Sequence, residues 1–207
     1  MVATATTTPA KKVDKFAARK VRTPEFRVSF PQVFKPKAFE SQEPKYSIVM
    51  LFAKTADLKA MKQAVLAAAI EKFGPKEKWP KNLRMPFKDG NDKADMDGYK
   101  DMIVVNASAK ADKRPGVVNQ QLEDMTEADG QFYAGCYARA TLMAYGYDTA
   151  GNRGVSFGLQ DIQKLRDGVP FSGRKKAQDE FEAVDDVADD ADLSVGGDGD
   201  DDGLGLD

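Results

Sequence analysis

Residues 137–147 read Tyr-Ala-Arg-Ala-Thr-Leu-Met-Ala-Tyr-Gly-Tyr. One set of alternate positions holds Tyr137, Arg139, Thr141, Met143, Tyr145 and Tyr147. The other holds Ala138, Ala140, Leu142, Ala144 and Gly146. A period of two predicts a β-strand, because successive side chains point to opposite faces. Small residues along one face fit the tight interior of a small barrel. Residues 148–154 are polar and Gly-containing, which predicts a hairpin tip. Beyond it Val155, Phe157 and Leu159 alternate with Ser156, Gly158 and Gln160. Ile162 and Leu165 continue the apolar positions, and Gly168 stops the element.

Upstream, residues 25–34 predict a first strand in which Phe26, Val28 and Phe30 share the inner face and Pro31 imposes a bend or an edge. Lys35, Pro36 and Lys37 read as the start of an irregular link. Residues 46–53 form a nearly continuous apolar run of strand length and predict a central strand. A helix follows, with Thr55 as N-cap and Asp57 favourable to its dipole. Leu58, Met61, Val65, Ala69 and Phe73 fall at helical spacing, Leu66 and Ile70 widen the stripe, and Gly74-Pro75 ends it. Residues 75–99 read as a long loop broken by Pro75, Pro80, Pro86, Gly90 and Gly98. Residues 102–109 predict another strand, and Val117-Val118 a short one. This pattern has one helix among strands, with no βαβ alternation. It predicts a mainly β chain: a Greek-key barrel of five strands with one inserted α-helix, or else a β-sandwich.

Charge is distributed unevenly. Residues 179–207 contain thirteen acids and no Lys or Arg. The whole chain has 33 Asp+Glu against 31 Lys+Arg, so residues 1–178 carry a formal charge of +11. A basic body with an acidic tail points to a polyanion-binding domain with an interaction tail. The expected organisation is a flexible basic arm over 1–21, a folded domain over 22–176 and a disordered acidic tail over 177–207. The chain contains no histidine and one cysteine, Cys136. That excludes His-based acid–base catalysis, Ser–His and Cys–His nucleophiles, the usual zinc sites and an internal disulfide. No apolar run approaches the ~20 residues of a membrane span, and residues 1–24 lack an apolar signal-peptide core. No P-loop, helix-turn-helix, zinc finger or basic zipper is present. No cofactor or metal is expected.

The Tyr/Arg face of residues 137–147 carries the functional reading. Aromatic faces stack unpaired bases, and arginine contacts phosphate and also stacks. Tyr137, Tyr145, Tyr147 and Trp79 are the candidate stacking residues. Arg27, Lys35, Lys100, Lys110, Arg114, Arg139 and Arg153 are the candidate phosphate contacts, and Arg22 and Lys37 could extend the groove. The structural alternatives are plain. The tyrosines could pack against a strand, the helix or a dimer partner, Trp79 could anchor its loop, and each cation could be a solvated surface charge. Asp89, Asp92, Asp95 and Asp97 could suggest a carboxylate-metal nuclease. They lie in one Gly-containing loop, without the rigid framework a metal pair wants.

Residues 151–168, read with Tyr137, Ala138, Arg139 and Ala140, resemble the closing hairpin of bacteriophage single-stranded-DNA-binding proteins of the OB-fold, acidic-tail kind, a family once known only as a domain of unknown function. The resemblance implies an OB fold and sequence-independent ssDNA binding in phage replication, recombination and repair, within the cytoplasm of the infected bacterial host. It also implies a homodimer, and a tail that competes with DNA and contacts replication proteins. Many such tails end in an aromatic residue. This one ends Leu204-Gly205-Leu206-Asp207, so Asp200, Asp201, Asp202, Leu204 and Leu206 are the candidate partner-binding residues. A reading of a different class is an acidic-tailed adaptor or chaperone whose body is structural.

Overall fold

The computed structural model describes residues 16–38, 43–149 and 151–171. Among the described residues are eight strands, β1 (Lys20–Arg22), β2 (Phe26–Lys37), β3 (Lys45–Ala53), β4 (Phe87–Asp89), β5 (Met102–Lys110), β6 (Gly116–Val118), β7 (Tyr137–Thr149) and β8 (Asn152–Arg166), and one α-helix, α1 (Lys59–Phe73). β2, β3 and β5 form an antiparallel meander. β5 then pairs in parallel with β8, β8 pairs antiparallel with β7, and β7 pairs antiparallel with β2. These pairings close on themselves as a ring of five strands, the strand order of an OB barrel. β1 extends the ring on β7, β6 on β8 and β4 on β5.

The alternation that predicted β7 sets its orientation. Ala138, Ala140, Leu142 and Ala144 are buried, while Tyr137, Arg139, Thr141 and Met143 are half-buried on the outer face. The small inner face lets α1 pack closely. A Cβ at Gly146 would lie 2.5 Å from the Cβ of Lys72 and 3.3 Å from the Ala68 carbonyl oxygen. Inside the ring Phe26, Ile48, Met50, Phe52, Val105 and Phe157 join Met61, Ala64, Val65, Ala68 and Ala69 of α1 in one core.

Four local expectations are corrected. The helix starts at Lys59 with Leu58, and not Thr55, at its N-cap; Asp57 Oδ1, one residue earlier, accepts from the Lys59 N–H at 2.9 Å. Leu66 and Ile70 face solvent at 45% and 49% exposure, so the buried stripe is narrower than the sequence pattern. Lys20–Arg22 is a strand paired with Arg22↔Thr141, so folded structure begins inside the predicted arm. β2 runs to Lys37, through the predicted link, and its inner face changes partway. Phe26 and Val28 are buried, but Phe30 is 53% exposed and Ser29 only 3%. The cause is a bulge: between Ser29↔Val49 and Gln32↔Ser47, β2 advances three residues against two on β3. Phe30 takes φ +43°, a left-handed conformation for a bulky residue. Such strain costs about 1–3 kcal/mol and persists only where the surroundings hold it. Among the described residues no helix is long and apolar enough to cross a membrane.

Candidate nucleic-acid interface

The outer face of β2–β3–β5 is divided in two. Its lower half is covered by the chain itself. Leu51 and Val104 lie beneath Tyr99, with Val49, Met96, Met102 and Phe171 packed around them. The Tyr99 hydroxyl lies 3.2 Å from Ser29 Oγ, which explains the burial of Ser29. Arg27 holds the segment that follows β8. Its guanidinium donates to the Val169 carbonyl at 2.7 Å and the Gly135 carbonyl at 3.2 Å, and its Cζ lies 4.2 Å from the Phe171 ring centroid. A hydroxyl–carboxylate network pins the same segment. Tyr133 donates to Asp167 Oδ1 at 2.8 Å, and Lys164 Nζ sits 2.8 Å from the same oxygen. Burial is the largest cause raising the Tyr133 phenol above its ordinary pKa, and the Asp167 hydrogen bond adds to it.

The upper half is open and basic. Lys37 pairs with Lys45, and Lys45 pairs with Lys110, so three lysines stand in one row across three strands. Paired residues point to the same face of a sheet, about 4.5–5.5 Å apart at Cα. The next layer is neutral and polar: Gln32, Ser47 and Ser108. Arg114 is exposed in the turn that leaves β5 just past Lys110. Lys35 is exposed and bridged to Glu127 at 2.5 Å.

A second basic and aromatic surface lies on the outer face of β1–β7–β8. Lys20 stands opposite Met143 and Arg22 opposite Thr141. Arg139 Nε donates to Gln163 Oε1 at 2.8 Å. Tyr145 is 39% exposed opposite Ser156. Tyr147 lies across Gly154, where a Cβ would come within 2.6 Å of its hydroxyl. Tyr137 differs from these two: Arg166 covers its ring at 3.4 Å from the centroid, while pairing with Glu25 at 2.6 Å.

The predicted residues are therefore not gathered in one groove. Lys35, Lys110 and Arg114 belong to the lysine end of β2–β3–β5, and Arg139, Tyr145 and Tyr147 to the β7 face. Arg153 lies at the hairpin tip, paired with Asp148 at 3.0 Å. Lys100 is exposed beside Asp101; the hydrogen bond from Lys54 holds the Asp101 carboxyl below its ordinary pKa. Trp79 anchors its loop: it is half-buried against the core and its indole N–H donates to the Gly74 carbonyl at 2.9 Å. Arg27 and Tyr137 sit opposite each other at the seam between β2 and β7. Lys45 and Phe30 were not among the candidate DNA contacts, and Phe30 was expected on the inner face. Lys45 and Lys110 bound two apolar runs, and only the strand register sets them side by side. Asp200, Asp201, Asp202, Leu204 and Leu206 lie outside the described residues.

The chain is 34% identical over 164 residues to protein p50 of Acyrthosiphon pisum secondary endosymbiont phage 1, an alignment covering 74% of this chain and 87% of that one. Its fold is similar to the single-stranded DNA-binding protein from bacteriophage Enc34 solved in complex with ssDNA, with a TM-score of 0.64, 26% identity, and coverage of 79% of this chain and 97% of that one. The single-stranded DNA-binding protein gp2.5 of bacteriophage T7 shares the fold at 14% identity and a TM-score of 0.52, over 77% of this chain and 98% of that one. The family model described as Enterobacter phage Enc34, ssDNA-binding protein, matches residues 19–193. With that span lying across every strand of the ring, this chain belongs to the Enc34 ssDNA-binding protein family.

Proposed function

We propose that this chain is a sequence-independent ssDNA-binding protein, a binding protein rather than an enzyme, that coats single strands through phosphate contacts and base stacking. The observation that carries the reading is the row Lys37, Lys45, Lys110 on the outer face of the OB ring. A phosphate chain laid across the row meets lysines from three strands and releases counterions. The likeness to an Enc34 protein solved with ssDNA supports the same choice of polyanion. The face in question is the one that OB folds present to oligonucleotides.

The finer parts of the reading rest on charge and kinship. The protein acts in phage replication, recombination and repair, in the cytoplasm of the infected host, as a homodimer. Its thirteen-acid tail competes with DNA for the basic surface. A tethered segment reaches an effective concentration of about millimolar, so removing the tail tightens DNA binding. Leu204 and Leu206, flanked by Asp200, Asp201 and Asp202, are the tail residues that recruit replication proteins.

The test is a fluorescence titration of labelled oligo-dT and of duplex DNA against the full chain and a chain ending at 176. The expected order is tight single-strand binding by the truncated chain, weaker by the full chain, and weakest binding to duplex. No binding to oligo-dT by either chain at low salt overturns the reading. It would favour an adaptor whose partner binding needs the tail.

A further inference from the structure

We infer that Phe30 is a base-stacking side chain, held outward by the β2 bulge beside the lysine row. The inference rests on the ssDNA reading above and adds a residue to it. Three independent observations converge. First, Phe30 is 53% exposed in the middle of a ring strand. The phenylalanines around it are used differently: Phe26 stacks edge-on with Phe52, Phe34 with Phe132 and Phe87 with Phe157. Among the described residues Phe30 has no such ring contact.

Second, the backbone holds it there against its preference. At φ +43° a glycine or asparagine would sit with less strain than a phenylalanine. Strain of this kind clusters at ligand-contacting positions, where it is part of the function. The adjacent bulge is the usual device for re-aiming one side chain out of a strand.

Third, its position matches the chemistry. Phe30 lies between Ser29 and Gln32, whose partners Val49 and Ser47 belong to the outer face of β3. Lys45, in the lysine row, is about three residues further along β3, roughly 10 Å at ~3.4 Å per residue. Between them lies the neutral layer of Gln32, Ser47 and Ser108, whose groups donate and accept hydrogen bonds. A single strand with its phosphates on Lys37, Lys45 and Lys110 brings a base to Phe30. A phenyl ring offers a π-face and no hydrogen bond, so the contact tolerates any base.

The experiment uses the full chain and compares wild type with F30G, F30L and F30W. Glycine relieves the strained φ while removing the ring. F30G is therefore expected to melt no lower than wild type, yet to bind labelled oligo-dT about tenfold more weakly. F30L should bind as weakly as F30G, and F30W should restore affinity. A second probe is an oligonucleotide of equal length with abasic sites, for which wild type and F30G should bind alike. Equal oligo-dT affinity of wild type and F30G overturns the inference. So does an equal loss on normal and abasic strands, or a change of oligomeric state with unchanged affinity. If wild type itself ignores oligo-dT, the ssDNA reading fails first and this inference falls with it.

Discussion

Arg166 sits over Tyr137, its Cζ 3.4 Å from the ring centroid, and is paired there with Glu25 at 2.6 Å. The tyrosines of β7 are thus not equivalent. Tyr137 has a protein cation on one face, whereas Tyr145 is 39% exposed with no ring partner among the described residues. Y137A is expected to lower Tm by about 2–4 °C, near 1 kcal/mol of stability for a chain of this size, by removing the cation–π and packing contact. Y145A should leave Tm unchanged and weaken oligo-dT binding roughly tenfold. Thermal melts beside an anisotropy titration separate the two. A Y145A variant with wild-type affinity would take the β7 face out of the interface.

The lysine row makes a prediction about salt. Contacts from Lys37, Lys45, Lys110 and Arg114 neutralise about four phosphates, which gives a log–log salt slope near −2.8 for single strands. A fourfold rise in salt then weakens binding about fifty-fold. K110Q should make the slope shallower by ~0.7, and K45Q/K110Q by ~1.4. Unchanged slopes in both variants would place the phosphates elsewhere on the barrel.

The exit of the chain from the barrel is sterically tight. Gly98 has φ +77°, and a Cβ there would come within 2.4 Å of the Phe171 ring. G98A should therefore destabilise the fold both through its backbone and by displacing Phe171. F171A clears the space, so the G98A/F171A pair should be less costly than the sum of the single changes, with a coupling of about 0.5–3 kcal/mol. Urea midpoints of the four proteins measure it. Simple additivity would mean that Phe171 does not pack on Gly98 in solution.

Cys136 is fully buried, and burial pushes its thiol above the ordinary cysteine value. The native thiol should resist a water-soluble disulfide reagent and react on unfolding. The sign of the pH effect follows from the raised folded pKa. Its contribution is whole below the unfolded thiol pKa of about 8.5 and is lost as pH rises toward the folded value. Wild type should lose urea resistance across that window more steeply than C136A.

Much of the fold was legible because it depends on local period. The alternation of residues 137–147 gave both the strand and its inner face, since side chains in a strand must alternate. The run of residues 46–53 announced a central strand, and Ile48, Met50, Leu51 and Phe52 are buried. Where an expectation failed, a non-local contact or a single backbone angle had intervened. The Phe26, Val28, Phe30 pattern holds for two residues, then breaks because φ at Phe30 is +43°. Ser29, polar and alternate, is buried because Tyr99 arrives from 70 positions away. Trp79, a stacking candidate in the sequence, also proves to anchor its loop, its N–H reaching back to Gly74.

From composition and order alone came the basic body, the acidic end, the absence of histidine chemistry and the strand-rich pattern with its one helix. Those properties are sums and periods, and they need no coordinates. Which cations stand together needed the tertiary structure. Lys37, Lys45 and Lys110 are distant in sequence and become neighbours only through the register of β2, β3 and β5. A one-residue slip in any pairing would turn each strand's outer set inward. Register, set by core packing and by two irregularities in β2, one at the strained Phe30 and one between Gln32 and Lys37, therefore decided where this chain presents its charge and its exposed aromatic ring.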